Sequence, residues 1–225
     1  MENRKTTKTT KTTKSSKSSK SESGSNCFID FFKNILNDKK KLIILISIIV
    51  VVIILIIVIA VVVSKKKNKD TCGVSKEVYD IAKKELDEHN KYRKQHHAGD
   101  LTINCDLMKI AQKYSEKLQK EKKFQHSHDT YNGNPMGENL HWTSLYEYTP
   151  PKATDNWYNE IEDYNFNTGK TKNGKQVGHF TQVVWKGTKE LGIGVSCGDN
   201  GCYVVGNYYP AGNYIGQYTE NVLQK

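Results

Sequence analysis

Gly178-His179-Phe180-Thr181-Gln182-Val183-Val184-Trp185-Lys186-Gly187-Thr188 is the stretch on which the fold turns. Alternation places His179, Thr181, Val183 and Trp185 on one face and Phe180, Gln182 and Val184 on the other. Both faces carry large apolar groups, so a strand is predicted over 178–186, covered on both sides in the middle of a layered domain. The histidine at its entry, beside Gly178, sits where such a strand opens to solvent, and a pocket is expected there.

Downstream, two more strands are predicted over 191–197 and 202–209, joined by the hairpin loop Gly198-Asp199-Asn200-Gly201. In the first of them Gly192, Gly194 and Ser196 alternate with Ile193, Val195 and Cys197, leaving one nearly flat face on which a helix can lie close. Upstream, Ala153, Trp157, Tyr158 and Ile161 follow Pro150-Pro151 at helical spacing, with Pro151 suited to a first turn. A polar loop containing Gly and Asn occupies 125–137. Leu107, Ile110, Ala111, Tyr114 and Leu118 predict an earlier helix capped by Asp106 or Asn104. Val78, Ile81, Ala82, Leu86, His89 and Tyr92 predict the first helix of the domain, over about 75–97. Helices first and an antiparallel sheet later give an α+β sandwich.

The 225 residues carry a net charge of +10, but unevenly. Residues 1–69 hold 15 Lys/Arg against 4 Asp/Glu, whereas residues 70–225 hold 19 against 20. The folded part is therefore near neutral, which argues against a nucleic-acid partner. Lysines at 5, 8, 11, 14, 17 and 20, separated by Thr or Ser pairs, form a segment with nothing apolar to offset its ordering, so residues 1–41 are expected to be a disordered tail. That tail reads as solvated low-complexity sequence; a polybasic attraction to anionic lipids, relieved by phosphorylation, is the alternative. Residues 27–36 form a short apolar patch suited to an interfacial helix.

Residues 42–63 are unbroken Leu, Ile, Val and Ala apart from Ser47, bracketed by Lys39-Lys40-Lys41 and Lys65-Lys66-Lys67. At about 1.5 Å per residue they match the roughly 30 Å hydrocarbon core of a bilayer, so a transmembrane helix is expected. Eleven Lys/Arg precede it, within residues 1–41, against five in residues 64–76. This predicts a cytosolic N-terminus and a single-pass type II protein, its C-terminal domain outside the cell or in the lumen of the secretory pathway. Residues 64–74 would be a linker and 75–225 the domain. Four cysteines (Cys72, Cys105, Cys197 and Cys202) lie beyond the helix, and an oxidising compartment would let them form two disulfides in any of three connectivities.

Four side chains near breaks in the pattern are candidates for chemistry: His126, Glu138, Glu160 and His179. Two imidazoles from separated segments suit a divalent ion such as zinc, with the carboxylates orienting them. His128, two residues from His126, competes for that role. The sequence has no His-Glu-x-x-His and no Ser or Cys in a nucleophile context.

The region 77–223 resembles the CAP superfamily of cysteine-rich secretory proteins, wasp venom allergens and plant pathogenesis-related proteins, in particular its Golgi-associated plant-pathogenesis-related branch. The resemblance rests on His89-Asn90-Lys91-Tyr92-Arg93, Gly137-Glu138-Asn139-Leu140, Trp157-Tyr158-Asn159-Glu160-Ile161, the stretch 178–188, and Asn207-Tyr208-Tyr209-Pro210-Ala211-Gly212-Asn213-Tyr214. It implies a three-layer α-β-α sandwich with His126, Glu138, Glu160 and His179 in one cleft. It further implies pockets that take divalent cations in some members and sterols, fatty acids or anionic phospholipids in others, without an established general catalysis. Gly206 stands where the family usually has a cysteine. Cys197 and Cys202 would then pair across the hairpin loop, leaving Cys72 and Cys105 as a second pair.

The expected function is a non-enzymatic, membrane-anchored domain whose cleft binds lipid, sterol or a protein partner, with zinc as the expected cation at His126 and His179. The alternative is a metal-dependent hydrolase with Glu138 or Glu160 as general base.

Overall fold

A computed structural model of the chain describes residues 29–31, 33, 34 and 37–225. The Lys/Thr/Ser repeat and Cys27 lie outside the described residues, as do positions 28, 32, 35 and 36 of the expected interfacial helix. The chain forms two compact units, one ending at Val62 and the other running from Val63 to Lys225. Helix α1 is Lys39–Asp70, and its portion Lys39–Lys66 is long and apolar enough to cross a membrane, with a mean hydropathy of 4.0 over its most apolar 18 residues.

The second unit contains α2 (Lys76–Gln95), β1 (Thr102–Ile103), α3 (Cys105–Glu121), β2 (Thr130–Tyr131), β3 (Asn134–Pro135), β4 (Gly137–Thr143) and α4 (Lys152–Asn159). It continues through a 3-10 turn (Glu160–Asp163), β5 (Tyr164–Asn165), β6 (Lys170–Thr171), α5 (Gly178–Val183), β7 (Glu190–Gly198), β8 (Gly201–Tyr209) and α6 (Tyr218–Asn221). Ser75 caps α2 by accepting from Val78 N, and Asn104, one of the two caps considered for α3, accepts from Asp106 N and Leu107 N.

The main sheet has the order β1-β7-β8-β4. β7 and β8 form the expected antiparallel hairpin, with Cys197 opposite Cys202 and joined to it by a disulfide. Cys72 and Cys105 form the second disulfide. β4 pairs antiparallel with β8, while β1 adds to β7 in parallel.

Helix α3 packs on one face of this sheet, where Ala111, Tyr114 and Leu118 cluster with Leu140, Tyr203 and Val205. On the other face Ile193 and Val195 pack with Trp157 of α4 and Phe180 of α5. The result is an α-β-α sandwich. The flat glycine face of β7 is where α3 comes close: a Cβ on Gly194 would stand 2.3 Å from Ala111 C and Gln112 N. Gly194→Ala is therefore expected to destabilise the domain by about 1–3 kcal/mol. Gly99→Ala, where a Cβ meets nothing within 4 Å, should leave the urea midpoint nearly unchanged.

The strand predicted over 178–186 is not one. Gly178–Val183 is a short helix, and the sheet positions are taken instead by β4 and β1. Phe180, Thr181, Gln182, Val183, Val184 and Trp185 are all buried, so burial encircles the segment and the alternation carries no information about which face is inward. Its buried polar residues find partners in neighbouring loops. Gln182 Oε1 accepts from Gly212 N (2.9 Å), Gln182 Nε2 donates to Thr188 Oγ1 (3.1 Å), and Thr181 Oγ1 donates to Asn213 Oδ1 (2.6 Å).

Arg93, fully buried in the last turn of α2, ties this segment down. Its Nε donates to Gly99 O (2.8 Å), Nη1 to Val183 O (3.0 Å) and Trp185 O (2.9 Å), and Nη2 to Thr188 O (2.9 Å). Every partner is a backbone carbonyl. Burial lowers its pKa to about 10, which still leaves it charged at neutral pH.

Candidate functional site

The four candidate residues form two His–Glu pairs. Glu138, the second residue of β4, shares a strand face with Leu140 and so points to the α3 side of the sheet. Its Oε1 lies 2.9 Å from His126 Nδ1 and accepts from Ser127 N at 2.8 Å. Glu160, at the end of α4, accepts from the backbone N–H groups of His179 (2.9 Å) and Phe180 (3.2 Å) through Oε2, and its Oε1 lies 2.7 Å from His179 Nδ1. One carboxylate thus satisfies the opening turn of α5 and orients the imidazole that this turn carries.

An ionised carboxylate only accepts, so in both pairs the proton sits on Nδ1 and the lone pair on Nε2. Both rings therefore turn an Nε2 lone pair away from the carboxylate, and at His179 that lone pair accepts from a side-chain amide. At His179 the Gln176 side-chain amide stands 3.3 Å from Nε2. This carboxylate–imidazole arrangement is the one that prepares a histidine to bind a metal. Among the described residues, no group of three or more His, Cys, Asp and Glu side chains is gathered as a metal cage. Taken singly, each imidazole with its carboxylate has the donor chemistry of a cation ligand.

His126 lines a cavity of about 490 Å³ with Lys113, Tyr114, Lys117, Ser127 and His128. The Glu138 contact falls to His126 and not to His128. Glu138 Oε2 is buried without a hydrogen-bond partner, and so are both amide atoms of Asn207, its ladder partner on β8. Neither Glu138 nor Asn207 is among the residues lining that cavity.

The hydrogen bond to Glu138 raises the His126 pKa above 6.5, outweighing the opposing effect of partial burial. A raised folded-state value means the charge-dependent part of this pairing is fully present below about pH 6.5 and is lost as pH rises through the folded-state midpoint. The His126 ring is half exposed, so the energy involved is small. In an NMR titration His126 is expected to titrate above 6.5 and to return toward it in Glu138→Gln. An unchanged midpoint in that variant would show that Glu138 does not hold the ring.

The sequence reasoning missed Asn139, whose Nδ2 donates to His179 O at 3.1 Å. Asn139 follows Glu138 and points to the opposite face of β4, so consecutive residues of one edge strand reach the two pairs. It also missed Glu85 and Arg93, which are fully buried in α2 together with His89, a residue already on the expected inward face. Their i, i+4, i+8 spacing was the available signal, hidden because charged residues are usually assigned outward.

The profile of the Cysteine-rich secretory protein family (CAP) matches residues 86–208. The human Golgi-associated plant pathogenesis-related protein 1 is 42% identical over 141 residues, which span 61% of this chain and 89% of that protein. Protein PRY2 of Saccharomyces cerevisiae is 39% identical over 148 residues, covering 64% of this chain and 41% of that one. Among solved structures, that of NaASP2 with Zn2+ superposes with a TM-score of 0.50 at 27% identity, covering 68% of this chain and 88% of its own.

Proposed function

Because the chain belongs to the cysteine-rich secretory protein (CAP) family, we propose that it is a membrane-anchored, non-enzymatic member whose His–Glu cleft binds a lipid or sterol. The observation that carries this reading is the pair of imidazoles, each fixed at Nδ1 by a carboxylate, with the His126 pair beside a cavity that exceeds what a few waters need.

No thiol is at hand for covalent catalysis, since all four cysteines from residue 70 onward are in disulfides. Both disulfides call for an oxidising compartment, consistent with the secretory pathway and with a Golgi-associated relative. α1 would cross the bilayer with the N-terminus in the cytosol, and its tether would keep the domain at high local lipid concentration, so a modest affinity is enough. Zinc, if bound, would be held through Nε2 of His126 and His179, as the zinc-containing structure of a relative encourages.

Native mass spectrometry of the full chain, extracted gently from membranes, tests the reading. A co-purifying lipid or sterol mass, absent from the His126→Ala/His179→Ala variant, is expected. Peptide or ester turnover that disappears in Glu138→Gln would instead favour the metal-dependent hydrolase.

A further inference from the structure

Glu85 and His89 of α2 open a hydrogen-bond chain that ends at the candidate site. Glu85 accepts from Tyr148 Oη (2.5 Å), from Thr154 N (3.0 Å) and from the Thr154 hydroxyl. His89 Nδ1 lies 2.7 Å from Glu85 O. A carbonyl only accepts, so Nδ1 carries the proton. Complete burial depresses the His89 pKa to about 3, so the ring is neutral and Nε2 is an acceptor. The Tyr208 hydroxyl, 2.8 Å away, must then donate to it.

That leaves the Tyr208 oxygen to accept from Asn139 Nδ2 at 3.2 Å, and the second proton of the same amide goes to His179 O at 3.1 Å. From His89 to His179 a single arrangement of protons satisfies every contact. Glu85, His89, Thr154 and Tyr208 are fully buried and Asn139 is 1% exposed, so water cannot substitute for a broken link.

We propose that Asn139, oriented by Tyr208 and His89, is the positioning residue that fixes His179 relative to His126. The two residues Glu138 and Asn139 divide the work. Glu138 holds the His126 ring by its side chain, and Asn139 holds the His179 backbone, so β4 sets the separation of the two imidazoles. This rests on reading both pairs as parts of one ligand site. The test below is read on the histidine rings without ligand, so a failure of lipid binding and a failure of this inference are told apart.

The experiment uses the full chain in detergent micelles and reads the ring-nitrogen chemical shifts of the histidines. Asn139→Asp keeps the shape but replaces the donor with an acceptor. Tyr208→Phe keeps the ring and removes one oxygen. In folded samples of both, the His179 signals are expected to move or broaden, more strongly for Asn139→Asp, while His126 keeps its wild-type signals. A merely structural role would lower stability and leave His179 unmoved, and folded variants with wild-type His179 shifts would overturn the proposal. If neither variant folds, the wild-type protein decides. His89 as the Nδ1–H tautomer with a slowly exchanging Asn139 amide sustains the chain, whereas an Nε2–H tautomer at His89 or a freely exchanging amide breaks it.

Discussion

Arg93→Ala is expected to destabilise the domain by about 3–5 kcal/mol, the range for breaking a buried charged network. The guanidinium is fully buried, and its four hydrogen bonds reach Gly99, Val183, Trp185 and Thr188. Truncation would leave Val183 O and Thr188 O without a donor in the interior, at about 1–3 kcal/mol each before relaxation, while Trp185 O keeps Thr188 N at 3.1 Å and Gly99 lies at the surface. It would also free the loop after α5 from the end of α2. For a domain of this size the loss corresponds to a fall in melting temperature of roughly 6–20 °C. Arg93→Lys keeps the charge but not the fork, and a point-like ammonium cannot span carbonyls on both sides of it. It should therefore recover only a minor part of the loss. Urea titration of both variants measures this. Near-wild-type stability of the lysine variant would show that charge, and not the fork, is what the site uses.

The second large effect is expected at the disulfides, and it should be unequal. Cys72 and Cys105 close a loop of 33 residues, whereas Cys197 and Cys202 are five apart and already face each other in the hairpin. Loop-closure entropy assigns about 4 kcal/mol to the first and about 2 kcal/mol to the second. Cys72 is buried beside the start of α2 and Cys105 is the first residue of α3, so this bond also fastens the chain where it enters the domain. Urea midpoints of Cys72→Ser/Cys105→Ser and Cys197→Ser/Cys202→Ser should differ in that order. Equal losses would mean that the unfolded chain is already restricted near Cys72.

How far the fold could be read depended on whether the residue pattern matched a one-sided environment. Helices α2 and α3 each bury one face, and their periodicity gave both type and place; β7 and β8, buried on both faces, were marked instead by the turn residues Gly198–Gly201 between them. The glycines of β7 even announced the close approach of α3. The segment 178–186 failed for the opposite reason. It is buried all round, and Thr181 and Gln182 are inside because loops supply their hydrogen bonds. β4 was hidden because Gly137 and Asn139 resemble loop residues. Both are placed by what stands opposite them, since a Cβ on Gly137 would meet Gln182 Oε1 at 2.1 Å and Asn139 bonds His179. For the site, the residue types and the family blocks put forward His126, Glu138, Glu160 and His179 as candidates. Their pairing needed the three-dimensional arrangement, as did the polar chain from Glu85 to Asn139, because no local pattern marks an inward-facing charge.

The central claim is that these His–Glu pairs form a lipid-binding cleft. Its most direct test is equilibrium binding of labelled sterol and labelled phospholipid to the purified full chain, wild type against Glu138→Gln/Glu160→Gln. Saturable binding by the wild type, weakened at least about tenfold in the variant (about 1.4 kcal/mol), is the predicted result. Absence of binding, or binding that the two substitutions leave unchanged, would contradict it.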